Sequence, residues 1–205
     1  TAEPAPKRRP GVLDAEAGRA AMLWLTRAVD LAKSGQVAGI VTAPINKEGI
    51  HLAGYAFRGH TDFIAERTGA PNYRMSLVVR DLLVIHISDH VSLRAALDEV
   101  RRARIADSIR IADLTLQRLG RARRRIAVAG LNPHAGEAGA FGDEEQREIA
   151  PAIAECKAGG IDCSGPHSPD AVFRHAIEGR YDAVLAMYHD QGHIPMKLAG
   201  LDDGI

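Results

Sequence analysis

Within Met187-Tyr188-His189-Asp190-Gln191-Gly192-His193-Ile194-Pro195-Met196-Lys197 a ligand-capable imidazole, a carboxylate, a carboxamide, two further polar or basic groups and a backbone-permissive glycine fall together. Comparable clusters occur at Asp89-His90, at Asn132-Pro133-His134-Ala135-Gly136-Glu137 and at Thr42-Ala43-Pro44-Ile45-Asn46-Lys47. His90, His134 and His189 are the imidazoles that these clusters share, and imidazoles gathered in one cleft are metal-ligand chemistry. A neutral ring nitrogen binds a borderline divalent cation such as Zn, Co or Ni, and a site with three protein ligands leaves positions open for substrate. Asp170 and Asp190 are candidates to orient a ligand's second ring nitrogen or to complete the shell. A lone loop histidine is ordinarily solvated or bonded to backbone, so the shared position of these three carries the reading. His51, His86, His167 and His175 have no such setting and are read as structural.

The elements that must position these groups follow from hydrophobic periodicity. Each cluster follows a short apolar run: Val37–Thr42, Leu82–Ile87, Ile126–Leu131 and Asp182–Met187. These read as strands, and Met75–Val79 reads as another joined to Leu82–Ile87 through Arg80-Asp81. Leu13–Lys33 has apolar residues at helical steps, and Thr61 or Asp62 caps a helix whose apolar face begins at Phe63. Ser92–Leu119 reads as one broken helix or two, closed by Gly120, and Glu144–Ala158 as a further helix ended by Gly159-Gly160. Gly165–Asp170 reads as a loop before a short helix near Ala171–Ile177. Strands alternating with connections of helical length predict an α/β/α sandwich with a largely parallel sheet. In such sheets ligands bind beyond the carboxyl ends of the strands, where the polar clusters fall.

Composition narrows the function classes. Lys+Arg and Asp+Glu number 26 each in 205 residues, so no global charge recruits nucleic acid or an anionic membrane. No apolar run approaches the ~20 residues of a membrane span, and Thr1–Pro10 has no signal-peptide pattern. Cys156 and Cys163 fit neither a disulfide framework nor a CxxC pair and read as free thiols of a cytoplasmic protein. The absence of an initiator Met and the ending Leu201-Asp-Asp-Gly-Ile205 fit a segment of a longer chain. Gly136-x-x-Gly139-x-x-Gly142 does not match the dinucleotide fingerprint and reads as a flexible loop. The Arg121–Arg125 cluster follows a helix end and has no interleaved aromatics, which sets it apart from a nucleic-acid surface.

Thr42-Ala-Pro-Ile-Asn-Lys47, Gly59-His-Thr-Asp-Phe63, Leu131-Asn-Pro-His-Ala-Gly-Glu137, Gly165-Pro-x-x-Pro-Asp170 and Met187-Tyr-His-Asp-Gln-Gly192 resemble, in order, the blocks of the PdxA family, the 4-hydroxythreonine-4-phosphate dehydrogenases of pyridoxine biosynthesis and their relatives. The resemblance implies a fold like that of isocitrate and isopropylmalate dehydrogenases, with two lobes, a cleft and an obligate homodimer. Residues 1–58 then belong to a first lobe and residues 59–205 to a second lobe carrying the metal-ligand motifs. It also implies that His90, His134 and His189 hold a divalent metal (Zn, Co, Mg or Mn), one of the three coming across the dimer interface. By the same carry-over His60 and Thr61 contact substrate, Lys197 binds its phosphate, and Lys47, Asp170 and Asp190 line the cleft as catalytic candidates. The implied reaction is oxidation, with NAD or NADP, of a secondary alcohol beside a carboxylate, followed by loss of carbon dioxide. Family members carry an early Gly-containing turn and later Asn and Arg phosphate ligands outside this stretch. Gly192–Lys197 and Ala43–Asn46 look more like the branch acting on 4-phospho-D-threonate or 4-phospho-D-erythronate, or on aromatic cis-dihydrodiol acids, than like the vitamin B6 enzyme.

Two other classes use the same residues. A metal-dependent hydrolase would activate water at the three imidazoles and turn over without nicotinamide, whereas an inactive binding protein would take up metal and substrate without turnover.

Overall fold

A computed structural model describes residues 11–57 and 59–200. The readings placed on Thr1–Pro10, on Arg58 and on Leu201–Ile205 lie outside the described residues. The chain divides into two compact units, one ending at Tyr73 and one beginning at Arg74. The helix beginning at His60 falls in the first of these units.

In the first unit α1 (Ala15–Lys33) starts at Asp14, whose side chain accepts from the Glu16 N–H. It packs against α2 (Lys47–Leu52), capped by Asn46, and α3 (His60–Thr68). Met22, Leu25, Val29, Ile50 and Phe63 form its core. A Cβ on Gly18 would run into the Gly49 carbonyl, so glycine permits the close approach of α1 to α2. The expected strand Val37–Thr42 is not formed. A strand needs a paired neighbour, and no strand occurs among the described residues before Ser76; Val41 is fully exposed. Nor is α3 capped by Thr61 or Asp62: it begins one residue earlier, after Gly59, without a side-chain cap.

The second unit is built on one sheet of β1 (Ser76–Val79), β2 (Leu82–His86), β3 (Ile126–Ala129), β4 (Cys163–His167) and β5 (Ala183–Ala186), in the order β1-β2-β5-β3-β4. Only β1 runs antiparallel, joined to β2 through Arg80 at φ 53°; the other pairs are parallel. The pleat sorts successive side chains to opposite faces. Leu83, Ile85, Ile126, Val128, Ala183 and Leu185 face one core with Val100, which closes α4 (Leu93–Glu99), Ile109 of α5 (Arg102–Arg118) and Ile153 of α6 (Ala150–Ala158). Val84, Ala127, Ala129, Val184 and Ala186 face the other with Val172 and Phe173 of α7 (Pro169–Ile177) and Met196 of α8 (His189–Ala199). Both faces are covered, which is why the strands read as continuous apolar runs.

β4 corrects the reading of Gly165–Asp170 as a loop. Gly165-Pro166 looks like a turn signal, but β4 is an edge strand, where proline is tolerated because one side of the backbone has no ladder to complete. Glu144–Ala158 is helical as expected, except that its first turn, Glu145–Ile149, is wound wider with a π geometry. Cys156 and Cys163 are buried free thiols whose pKa values burial raises, Cys163 to about 11.

Candidate active site

Because β2, β5 and β3 are parallel neighbours, the chain segments leaving their carboxyl ends emerge side by side at one edge of the sheet. They carry His90, His189 and His134 respectively. Backbone pairing continues past β2 with Ile87 N–H to the Ala186 carbonyl at 2.8 Å, and then the segments part.

His189 opens α8, and its Nδ1 sits 2.7 Å from Oδ1 of Asp190. A ring nitrogen facing a carboxylate is the protonated one, so Nε2 keeps its lone pair for an electrophile. His134 is placed the same way toward Glu137, Nδ1 to Oε2 at 3.3 Å, and His90 has Asp89 beside its Nδ1 at 3.9 Å. The His90 and His189 rings lie 5.5 Å apart and, with Tyr188, Asp89 and Asp190, line a hollow of about 260 Å³. His134 stands on its own loop, 64% exposed in its side chain and close enough to Asp170 to act on its charge. Among the described residues no three His, Cys, Asp or Glu side chains of the single chain are grouped closely enough to hold an ion. Of the three residues expected to converge, His90 and His189 are neighbours and His134 forms no three-residue group with them. The donor chemistry of two imidazoles suits a borderline divalent cation.

The loop bearing His134 has an unusual backbone. His134, Ala135, Gly136, Glu137 and Ala138 all have positive φ, between 41° and 78°, a turn of left-handed winding that costs L-residues roughly 1–2 kcal/mol each. The buried carboxylate of Glu145, 3% exposed, holds it from behind. Oε1 accepts from the N–H groups of Leu131 and Asn132 at 2.8 and 2.7 Å, and Oε2 accepts from Asn132 Nδ2 at 3.0 Å. A Cβ on Gly136 would run into that carboxylate.

Two further histidines, His86, which the sequence reads as structural, and His193, which lies in the last cluster without an assigned role, stand directly behind His189. His193 lies one turn along α8, and its ring stacks on His189 with centroids 3.7 Å apart. His86 Nδ1 donates to the Met75 carbonyl at 3.3 Å, leaving its Nε2 to accept from His193 Nδ1 at 3.1 Å. Gly192 makes room for this pair, since a Cβ there would strike His86 Nε2. The i, i+4 spacing of His189 and His193 was the available signal, but it is visible only once 189–199 is taken as helix.

Burial first, and then the nearby His193 and His189, pull the His86 pKa down from 6.5 to about 4, against the raising effects of the Met75 carbonyl and Asp89. Below pH 6.5 the unfolded chain takes up this proton while the folded chain resists it. The stabilisation from neutral His86 is complete above that pH and is lost as pH falls toward 4, by about 3 kcal/mol. Denaturation of metal-free protein at pH 7 and pH 4.5 is expected to show a smaller loss for His86→Gln than for the native sequence; equal losses would remove His86 as the source.

The remaining expected residues fall in two places. Asp170, in the first turn of α7, accepts from Ser168 Oγ, which holds its carboxyl below the usual range, and it lines with Asp190 and Gln191 a groove of about 810 Å³ between α7 and α8. Lys197 is exposed in the last turn of α8. In the first unit Lys47 begins α2 and is exposed; His60 begins α3, with Thr61 exposed beside it. His60 lines a hollow of about 380 Å³ with Thr42, Ala43, Pro44 and Ile45, so that segment meets His60 without forming a strand.

A family model described as pyridoxal phosphate biosynthetic protein PdxA matches residues 2–205. The D-threonate 4-phosphate dehydrogenase of Salmonella typhimurium is 52% identical over 195 residues, an overlap of 95% of this chain and 60% of that protein. That of Pectobacterium atrosepticum is 49% identical over 197 residues, covering 96% of this chain and 60% of that protein. A crystal structure of 4-hydroxythreonine-4-phosphate dehydrogenase from Klebsiella pneumoniae matches with a TM-score of 0.89 at 53% identity, over 94% of this chain and 58% of that one. The chain thus spans about 60% of the length of these curated relatives. With a family match over nearly all of its length and half of its residues shared with such relatives, the chain belongs to the PdxA family.

Proposed function

We propose that this chain is part of a metal-dependent NAD(P) dehydrogenase of phosphorylated hydroxy acids, that it oxidises and decarboxylates 4-phospho-D-threonate or 4-phospho-D-erythronate, and that it works as a cytoplasmic homodimer. The observation that carries the reading is the pairing of His90 with His189, 5.5 Å apart at neighbouring strand ends, beside a hollow of about 260 Å³. Relatives near 50% identity are named for D-threonate 4-phosphate, which supports that substrate, while a solved structure at 53% identity is named for 4-hydroxythreonine-4-phosphate, which supports 4-phosphooxy-L-threonine as the second reading. The homodimer is supported by chemistry, since the single chain groups two of the three imidazoles. No helix among the described residues is long and apolar enough to cross a membrane, and the formal charge of zero offers no attraction to nucleic acid.

His90, His134 and His189 would hold the metal through Nε2. When bound, a divalent cation supplies Lewis acidity toward the substrate hydroxyl and the carbonyl formed from it. Asp190 keeps the proton on His189 Nδ1 and so keeps Nε2 a donor. Asp170 and Lys47 are the candidates to take the hydroxyl proton, and the Ser168 hydrogen bond that holds the Asp170 carboxyl below its usual range must be given up for Asp170 to act as the base. A nicotinamide would supply the hydride acceptor, because no side chain accepts hydride. His60 and Thr61 contact the substrate, and Lys197 offers its phosphate a point charge.

The test is a comparison of kcat/KM for the full-length protein on phosphorylated D-threonate, D-erythronate and 4-phosphooxy-L-threonine and on an aromatic dihydrodiol acid. The highest value is expected on the first or second; preference for either of the others would overturn the substrate assignment. Lys197→Ala is expected to raise KM at least about tenfold for the phosphorylated acid and much less for its unphosphorylated analogue. Equal effects on both would reject the phosphate contact.

A further inference from the structure

The sheet ladder between β5 and β3 ends at Val128↔Leu185, and the backbone ladder between β2 and β5 ends with Ile87. Beyond those rungs the segments bearing His90, His189 and His134 separate, and their spacing is no longer set by backbone pairing. Two buried polar side chains take over at that level, both meeting Met187. Ser88, 1% exposed, donates its hydroxyl to the Met187 carbonyl at 3.0 Å, joining the β2 and β5 segments. Gln191, 8% exposed, accepts from the Met187 N–H through Oε1 at 2.7 Å and donates from Nε2 to the Gly130 carbonyl at 2.8 Å, joining the β5 and β3 segments. His90 follows Ser88 by two residues, His189 follows Met187 by two, and His134 follows Gly130 by four.

We infer that Ser88 and Gln191 are positioning residues: side-chain rungs that extend the sheet past its last backbone pairs and fix the spacing of the three histidine-bearing segments. This rests on the metal reading given above. The rungs are specific to the site's geometry because each ties two of the histidine-bearing segments, whereas the buried hydroxyl of Ser108, which donates to the Arg104 carbonyl at 2.7 Å and accepts from Arg74 Nε at 2.7 Å, touches none of them.

The test uses cobalt(II) as probe with the full-length protein, measuring affinity by chelator competition and geometry by the visible spectrum, beside the melting temperature of the metal-free form. Ser88→Ala removes the first rung. Gln191→Glu keeps the acceptor for Met187 and removes the donor to Gly130, so it cuts only the tie between segments. Ser108→Ala serves as the control for loss of a buried hydroxyl elsewhere. Ser88→Ala and Gln191→Glu are each expected to weaken cobalt binding by about tenfold and to alter its spectrum. Ser108→Ala is expected to lower the melting temperature and leave both unchanged. Native affinity and spectrum in Ser88→Ala and Gln191→Glu, alongside cobalt binding by the native protein, would overturn the rungs while leaving the metal reading in place. Failure of the native protein itself to bind cobalt would overturn both.

Discussion

His134→Ala is expected to lose bound divalent metal and turnover together, with kcat/KM falling on the order of 10³-fold, equivalent to about 4 kcal/mol of transition-state stabilisation. The variant is informative because His134 does little else. Its side chain is 64% exposed, its polar contact is the neighbouring Glu137, and its backbone conformation is imposed by the loop around it. The melting temperature of the metal-free variant should therefore match that of the native protein within a degree or two, as an exposed substitution away from packing does. Elemental analysis and kcat/KM decide the matter together. Full metal occupancy in the variant would remove His134 from the ligand set, whatever happened to the rate.

The largest effect on stability is expected at Glu145. Glu145→Ala leaves the half-buried N–H groups of Leu131 and Asn132 without their acceptor, frees the Asn132 side chain from one of its partners, and opens a void beneath a left-handed turn. Each orphaned donor costs about 1–3 kcal/mol, so the sum with the void is on the order of 4 kcal/mol. Glu145→Gln keeps an amide oxygen for the two backbone donors but presents its NH₂ toward Asn132, and should cost less than half as much. Urea denaturation of the two variants is the check: midpoints indistinguishable from the native protein would show that the loop does not depend on this carboxylate. Since Gly136 and Asn132 share that carboxylate's surroundings, metal uptake should fall in Glu145→Ala as well.

The sheet was legible where burial acts on both faces. Leu82–His86, Ile126–Ala129 and Ala183–Ala186 are runs with no polar alternation, and in the structure each has helices above and below. Local pattern misled where the deciding partner lies elsewhere in the chain. Val37–Thr42 has strand composition but no strand beside it, while Cys163–His167 has turn composition and is held as a strand by pairing with β3. The candidate ligands were legible as polar residues that arrive abruptly after apolar runs. Their support was not. Gly136 alone, of the five residues with positive φ from His134 to Ala138, signals such a backbone, and the group that fixes it, Glu145, lies in a different element. His193 was hidden because Gly192 and Pro195 both argue against the helix that stacks it on His189. Gln191 was visible as a polar group, but its role depends on Gly130, 61 residues away.

The central claim, a metal-dependent NAD(P) dehydrogenase, is tested most directly by following NAD(P)H formation from 4-phospho-D-threonate by the full-length protein before chelation, after chelation and after return of a divalent cation. The account predicts reduction of the nicotinamide in the first state, its loss in the second and its recovery in the third. Reduction that survives complete removal of metal would contradict the role given to His90, His134 and His189, and substrate turnover without any reduction of added NAD or NADP would contradict the reaction itself.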